Sequence, residues 1–487
     1  MSATPSTQII SIDRGNEAPA VTSVQIDASC RAPVLLLFIS AAAWLLIGSL
    51  LGIIASLKFH SPNILASCPL LTYGRVHPAA WNALIYGFAI QAGLGVGLWV
   101  LSHLGRAKLA MAPLIVIGAI LWNLGMTIGT YGILYGDSTG FEWLEMPRYA
   151  SGILFFAYLA IGLAAIVTLH LRRERELYIS QWLLLAAIFW LPWIYSTAQL
   201  LLVFKPVRGV MQAIIDWWYI NNLTTIWLGF TGLAATFYFI PKIINRPLYS
   251  HYIGIFIFWT LAIFGSWGGI PTGSPLPTWI PALSSVGAAL TIVPVLAVAF
   301  NVHKTFVGNY SKLSSSMPLK FIAFGALAYV LSGLVGVLAS IVQVSEVINF
   351  TWFTPAQTQF VVYGFFAMTM FGAIYYIVPR LLQADISSAG VRWHFWLALI
   401  GVLIYVVSLG VGGVEQGTVL NNPKATADFM GVTNSTLPFL RASTTGDLFI
   451  ALGHLVFLLN LVGVLVRVSR ASFSTAMVAN RRAEVRA

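Results

Sequence analysis

Charged residues are scarce in this sequence, and that scarcity excludes most soluble folds. Asp, Glu, Lys and Arg make up 8% of the 487 residues, whereas about a quarter of a soluble globular protein is charged. Hydrophobic residues make up 58% of the chain, and the mean hydropathy is +0.85. The composition therefore predicts an integral membrane protein, and its long apolar runs predict an all-α one.

The apolar runs are long enough to span a bilayer, which requires about 20 residues for a helix. Short polar breaks separate twelve such runs, at 33–56, 79–103, 110–135, 149–170, 179–203, 217–240, 252–270, 280–302, 319–344, 354–379, 393–414 and 446–467. They predict a single twelve-helix membrane domain over 31–468, with a long loop at 415–445. A disordered cytoplasmic tail is expected at 1–30 and a basic cytoplasmic tail at 469–487.

Cysteine is nearly absent, and this limits the redox chemistry that the chain can carry. The two cysteines, Cys30 and Cys68, fall on opposite sides of the first apolar run and so cannot pair with each other. No CxxC or CxxCH motif occurs, which excludes covalent c-type haem within this chain. The polar first thirty residues also give no pattern of a cleavable signal peptide.

The formal net charge of +11 reflects membrane topology rather than nucleic-acid binding. If the N-terminus is cytoplasmic, only 7 of the 26 basic residues lie on the outer side, namely Lys58, Arg75, Arg148, Lys205, Arg208, Lys424 and Arg441. This bias follows the positive-inside rule and predicts that both termini are cytoplasmic. Anionic membrane lipid is the partner that such a charge distribution favours.

Imidazole is rare in the predicted spans. Of the 8 histidines, only His454 lies well inside an apolar run. A bis-histidine haem needs two facing imidazoles, and copper with imidazole ligands typically needs about three. The cores of the runs also contain no Asp, Glu, Lys or Arg. Asp216 and Asp447 are expected at the outer helix ends, as N-caps.

Four segments carry recognisable motifs with unexpected residues in them. Segment 351–380, TWFTPAQTQFVVYGFFAMTMFGAIYYIVPR, contains Gln357 and Gln359. Segment 73–88, YGRVHPAAWNALIYGF, contains His77 and Ala80. The two others are DWWYINN, which begins at Asp216 and includes Asn221, and WGGIPTGSPLPTW, at 267–279.

These segments resemble subunit I of the haem–copper oxidases, especially the cbb-type and nitric-oxide-reductase-like branches. The family has A-H-x-H in the first segment, G-R-x-R-P-x-H-x-N in the second, W-x-x-H-N in the third and a His-His pair in the fourth. The resemblance implies six histidines that bind two haems and one copper. The aligned positions here are Ala80, Asn221, Gln357, Gln359 and the turn formed by Ile270, Pro271 and Thr272.

The resemblance implies a subunit of a bacterial respiratory-chain complex in the inner membrane, with haem b, copper and a cytochrome c-type partner. The missing ligands instead favour a metal-free, non-catalytic paralogue, a pseudoenzyme with a scaffold, assembly or quinol-handling role. One alternative is an active terminal oxidase that binds haem and reduces dioxygen. Another is a quinone-binding or small-molecule transport protein that uses the vacated haem pocket. No catalytic or metal-binding residue is predicted.

Three features of the sequence have competing interpretations. His77 lies one turn from the ligand position at Ala80, where it is either a displaced haem ligand or an interfacial histidine. His454 is likewise a weak haem-ligand candidate or a packing residue. The acidic segment 137–148 either docks a basic cytochrome c-type partner or is an ordinary solvated loop.

An empty cavity of haem size would be costly, at roughly 24 cal/mol per Å³ of void. The sequence therefore predicts that bulky side chains fill the former haem volume. Trp81, Phe360 and at least one of Trp217, Trp218 and Trp227 are expected to point into it. We expect Gln357, Gln359 and Asn221 to hydrogen-bond to one another, to the backbone or to water.

Overall fold

The computed structural model describes residues 21–422 and 429–484, and this part of the chain is helical, without strands. It contains eleven helices long and apolar enough to cross a membrane and one shorter apolar helix. Labelled α1 to α12, they are Ser23–His60, Tyr73–Leu104, Ala112–Tyr135, Arg148–His170, Ile179–Phe204, Met211–Ile244, His251–Gly265, Trp279–Phe306, Met317–Ala339, Phe353–Leu382, Ser388–Leu420 and Phe429–Glu484. The predicted all-α membrane bundle is confirmed, and every predicted run coincides with one helix.

Helices α2, α6 and α10 form the centre of the bundle. In their most apolar 18-residue windows, 94%, 89% and 89% of the residues are buried, against 28–50% in the other long helices. Exposed aromatic and aliphatic side chains, such as Trp259 and Trp396, cover the outer helices. A helix that is apolar all round can lie either in the protein interior or against lipid. Which helices are central is therefore decided by packing and not by the composition of each helix.

Helix α1 begins earlier than the apolar run alone predicts. It starts at Ser23, where Thr22 and Gln25 form a capping box: the Gln25 N–H donates to Thr22 Oγ1, and the Thr22 N–H donates to Gln25 Oε1. This cap stabilises a polar first turn that hydrophobicity does not reveal. Residues 23–30 are therefore helical and not part of a disordered tail, while the expectation for residues 1–20 lies outside the described residues.

Helix α12 is also longer than predicted. It begins at Phe429 and continues to Glu484, so most of the expected 415–445 loop and of the tail from 469 is helical. Hydroxyl side chains in its first turns donate back to carbonyls of the preceding turn, as Thr433 does to Phe429 and Thr444 to Leu440. Such bonds satisfy polar groups inside a helix, so polar residues here do not mark a loop.

The two predicted N-caps are wrong for a related reason. Asp447 lies well inside α12, and Asp216 lies inside the first segment of α6, Met211–Asn221. The Asp216 Oδ2 atom accepts a hydrogen bond from the Glu142 N–H at 3.3 Å, not from its own helix. Both carboxylates therefore have tertiary surroundings, and neither caps a helix.

Wide, π-helical turns interrupt the three central helices close to the motif residues. They span Ala83–Ile90 in α2, Asn222–Leu228 in α6 and Phe360–Ala367 in α10. The last two begin directly after Asn221 and Gln359. Such turns are rare and occur often at functional sites, and further ones lie at Gln199–Phe204 in α5 and Leu261–Gly265 in α7.

Candidate functional site

A partly open cavity of about 730 Å³ lies among the central helices. Its wall includes Ala80 of α2, Asn221 of α6 and both Gln357 and Gln359 of α10. The turn after α7 that contains Ile270, Pro271 and Thr272 also lines it. The structure thus brings all the aligned ligand positions together around one space, although they are far apart in the sequence.

The expectation that bulky side chains fill this space is wrong. Trp81 and Trp217 line the cavity as predicted, and Trp81 stacks on Trp143 with ring centroids 5.6 Å apart. Phe360 packs beside Gly364 within α10 instead. Trp227 is buried and donates to the hydroxyl of Tyr158 at 3.1 Å. Large side chains therefore narrow one side of the cavity and leave the rest open.

The three amides at the ligand positions behave differently. Asn221 Nδ2 donates to the carbonyl of Gly265 at 2.8 Å, and Asn221 Oδ1 accepts from Thr225 at 3.2 Å, so the expected pairing is confirmed for this residue. The side chains of Gln357 and Gln359 line the cavity and make no hydrogen bond to the described residues. Their donors and acceptors are available to a molecule inside the cavity.

The turn after α7 closes tightly on α6. Gly269 has a φ of +96°, and a Cβ added there would overlap the Cβ of Asn221. Beyond it, the Ile270 N–H donates to Ser284 Oγ at 2.9 Å, and Asn349 Nδ2 donates to Thr272 Oγ1 at 3.0 Å. Where the resemblance implies copper ligands, this chain therefore has a network of hydrogen bonds among amides, hydroxyls and backbone groups.

The residues around the cavity do not fit copper or haem. Among the described residues, no group of three or more His, Cys, Asp or Glu could hold a metal ion. His454 uses both ring nitrogens, Nδ1 with Ser49 Oγ at 2.5 Å and Nε2 with the Tyr363 hydroxyl at 2.8 Å. This supports the packing interpretation of His454 over the haem-ligand interpretation.

A second buried imidazole, His394, escaped the sequence analysis because it lies near the start of a span. It is fully buried in α11, and its Nδ1 pairs with the Tyr375 hydroxyl at 2.9 Å. The ring of Phe371 packs against both His394 and His454, with centroids 4.5 and 6.0 Å away. Since an aromatic side chain packs against both imidazoles, they do not face each other across a space for haem.

His77 lies on the cavity wall within the second turn of α2. Its ring packs against Tyr73 with centroids 5.0 Å apart, and it is partly buried. It is the imidazole nearest in sequence to the ligand position at Ala80, one turn away. The other imidazole on the cavity wall, His454, has both ring nitrogens engaged with Ser49 and Tyr363, so it does not offer His77 a partner for a bis-histidine haem site.

The loop between α3 and α4, at 136–147, is not an ordinary solvated loop. Glu145 is 8% exposed, and its Oε2 accepts a hydrogen bond from Asn82 Nδ2 at 2.7 Å. Burial raises the pKa of the Glu145 carboxyl to about 7. Trp143 is also buried, whereas Glu142 is exposed at the edge of the cavity. The loop covers this end of the cavity, and a partner-docking role for it stays a prediction.

Asp447 is a residue of the cavity wall that the sequence analysis misplaced. It lines the cavity, and Ser56 of α1 lies close to its carboxylate. Ser56 Oγ lies 2.7 Å from Thr444 Oγ1, which lies 3.1 Å from His60 Nε2. These side chains form a polar cluster between the carboxylate and the end of α1. The only signal in the sequence is an aspartate at the edge of an apolar run. That pattern does not distinguish an N-cap aspartate from one that lies inside a helix.

Comparison with known proteins finds relatives of most of the chain. The family model described as "Cytochrome C and Quinol oxidase polypeptide I" matches residues 32–449. A cytochrome c oxidase subunit 1 homolog from Agrobacterium tumefaciens is 29% identical over 395 residues, which cover 77% of this chain and 71% of the relative. The cbb3-type cytochrome c oxidase subunit CcoN1 of Stutzerimonas stutzeri is 25% identical over 430 residues, with 86% and 90% covered.

The fold has a solved counterpart as well. A heme-copper terminal oxidase dimer determined by cryo-electron microscopy matches with a TM-score of 0.71 at 13% identity, covering 90% of this chain and 84% of that one. At this level of identity the likeness concerns the fold alone.

Proposed function

This chain belongs to the cytochrome c and quinol oxidase polypeptide I family, and we propose that it is a haem- and copper-free member that serves a bacterial respiratory complex as a non-catalytic membrane subunit. One observation carries the proposal. The positions at which the resemblance implies six histidines hold Ala80, Asn221, Gln357, Gln359 and the turn at 270–272, and all of them face one cavity. None of these side chains can supply an imidazole to iron or copper.

A subunit of this kind keeps the architecture of the family without its electron-transfer chemistry. Haem and copper, when bound in a catalytic relative, transfer electrons from the donor and form the site of dioxygen reduction. Here the helical fold of the family is kept, while the aligned positions carry amides, a hydroxyl and apolar side chains in place of imidazoles. The role that this combination supports best is a scaffold or assembly subunit in contact with membrane lipid and with other, cytochrome c-type, subunits.

Metal and haem analysis tests the proposal directly. The chain, purified alone from a haem-replete membrane, is expected to contain less than about 0.1 haem and 0.1 copper per polypeptide. A pyridine haemochrome assay and elemental analysis measure both. A catalytic cbb-type subunit purified in the same detergent provides the positive control.

Stoichiometric haem b would contradict this proposal and would favour an active terminal oxidase. In that case His77→Ala and His454→Ala would identify the imidazole that binds the iron. Dioxygen consumption by the same preparation would then test catalysis. Haem at the background level, with the positive control loaded, supports the non-catalytic subunit.

A second function is favoured by the cavity itself. Pockets of roughly 300–1,000 Å³ are typical of small-molecule sites, and this one has a volume of about 730 Å³ with two unpaired glutamine amides on its wall. Handling of a quinone or of another small membrane-soluble molecule would use that space. Solvent extraction of the gently purified protein, followed by mass spectrometry, would reveal a retained quinone, with empty lipid nanodiscs as the background.

A further inference from the structure

We propose that the cavity is a binding site for a lipophilic organic cation, with Asp447 as the counter-charge. The inference rests on the proposed function, because a haem in this space would exclude another ligand. It goes beyond that function by naming the charge and the chemical class of the occupant. Three features of the wall carry it: the signs of its charges, the surroundings of Asp447 and its aromatic faces.

The ionisable side chains on the wall favour a positive ligand. Two carboxylates line the cavity, Glu142 at its edge and Asp447 in its interior, together with the imidazoles of His77 and His454. No lysine or arginine lines it among the residues that the structure describes. Both nitrogens of His454 are engaged with Ser49 and Tyr363, so His454 is not available as a counter-ion.

Asp447 lies beside a group of uncharged hydroxyl side chains. The Thr444 hydroxyl donates to the carbonyl of Leu440, and its Oγ1 lies 2.7 Å from Ser56 Oγ and 3.1 Å from His60 Nε2, so both of these groups can donate to it. Asp447 follows Thr444 by about one helical turn, with Ser56 close to its carboxylate. Of the other groups that face it, the phenol of Tyr405 lies on α11 and is not basic.

An uncompensated carboxylate inside a membrane bundle is costly, so a positive partner has a large effect there. A bare inorganic cation lacks ligands, because no group of three or more His, Cys, Asp or Glu suited to a metal occurs in the described part of the chain. An organic cation needs no such ligand set. It requires one counter-charge, an apolar wall and room, which the cavity provides.

The aromatic wall suits a cation with an apolar shell. Trp81 and Trp143 stack at 5.6 Å, and Phe59 and Trp352 meet edge to face at 4.6 Å, and all four line the cavity. The faces of such rings attract cations, more strongly where water is excluded. The combination of π faces and one interior carboxylate is the chemistry that recognises hydrophobic ammonium or phosphonium ions.

The test uses two probes of matched shape and opposite charge. Tetraphenylphosphonium and tetraphenylborate are each titrated into the full-length chain in lipid nanodiscs, and equilibrium dialysis measures binding above that to empty nanodiscs. We expect the wild type to bind the cation and to bind the anion at least about tenfold more weakly. Asp447→Asn should weaken cation binding about tenfold and should not weaken anion binding, because it removes a charge that attracts the cation and repels the anion.

Asp137→Asn provides the matched control, because it removes the same charge from an exposed residue of the 136–147 loop that does not line the cavity. Its cation affinity should equal that of the wild type. Unchanged elution in gel filtration shows that Asp447→Asn is folded, and Asp447→Glu, which keeps the charge, should keep the preference for the cation.

Equal binding of both probes, or cation binding unaffected in Asp447→Asn, would overturn the inference. A haemochrome assay on the same preparation separates the two proposals. Bound haem means that the proposed function fails, whereas a haem-free protein without a preference for the cation means that only this inference fails.

Discussion

At the scale of single residues, the buried carboxyl of Glu145 should make the stability of the protein depend on pH. Its pKa in the folded chain is raised by burial from 4.5 to about 7, so the folded state binds more protons than the unfolded state between these values. Folding stability contributed by this group is therefore present at low pH and is lost as the pH rises through about 7. The isosteric Glu145→Gln variant cannot titrate and should lack this dependence.

The expected result is that Glu145→Gln is more stable than the wild type by roughly 2 kcal/mol at pH 8 and differs much less at pH 5. Its amide can still accept the hydrogen bond from Asn82 through Oε1. Thermal unfolding followed by intrinsic fluorescence at several pH values measures the difference. Asp137→Asn, in the same loop, should follow the wild type throughout, and parallel curves for the wild type and for Glu145→Gln would refute a titrating role for Glu145.

Which residues meet around the cavity could be predicted in part. Ala80, Asn221, Gln357 and Gln359 all line it, as an alignment of short motifs could predict. The partners of Asp447 could not be predicted, because Ser56 comes from α1, almost 400 positions earlier in the chain. The prediction for Phe360 was wrong because the rotation of α10 at its wide turn, not the order of residues, decides which side chains face inward.

At the scale of helices, hydrophobicity predicted the number and middle of each element but not its ends. Hydroxyl groups that bond within α12, and the capping box of α1, extend helices through polar residues. The wide turns in α2, α6 and α10 are invisible to hydrophobicity because they change the hydrogen-bond register and not the composition. They matter for the site, since they set the direction of the residues that follow the motif positions.

Close contact between α9 and α10 depends on a glycine. A Cβ added at Gly325 would overlap Thr369 Oγ1 and lie 2.9 Å from the carbonyl oxygen of Phe365. Gly325→Ala should therefore push the helices apart and destabilise the protein by roughly 1–3 kcal/mol, the usual cost of overpacking. Gly152→Ala, in α4, provides the control, since nothing lies within 4 Å of an added Cβ there.

Thermal unfolding in one detergent measures both glycine variants. The control is expected to match or slightly exceed the wild type, because alanine is a better helix former than glycine. If Gly325→Ala were as stable as Gly152→Ala, the prediction would be wrong. α9 could then move away from α10 at no cost in stability, and the two helices would be less tightly packed than the Gly325 contact implies.

At the scale of the whole molecule, the cavity is the feature that the sequence could least predict. Counting tryptophans near the motif positions suggested a filled interior, yet whether a side chain fills a space depends on the relative rotation and spacing of many helices. Trp81 and Trp217 do face the cavity, while Trp227 is used to bond Tyr158. The bundle thus preserves a space that its motif substitutions alone would not require.

The orientation of the bundle in the membrane is predicted by two independent features, the basic-residue bias and the even number of apolar helices. If the eleven long helices and the shorter His251–Gly265 all cross the membrane, the described chain returns to the side on which it started. With 19 of 26 basic residues on one side, that side is expected to be the cytoplasm, and the segment between α1 and α2 is expected to face outward. The native cysteines allow a direct test of this prediction.

Cys68 is partly exposed in the segment between α1 and α2, whereas Cys30 is buried inside α1. A membrane-impermeant maleimide added to intact spheroplasts should therefore label the wild type at Cys68, and Cys68→Ser should remove the label. A phosphatase fused after residue 487 should be inactive, because it would stay in the cytoplasm. Labelling that requires permeabilised membranes, together with an active phosphatase fusion, would invert the assignment and place the Asp447 end of the cavity on the cytoplasmic side.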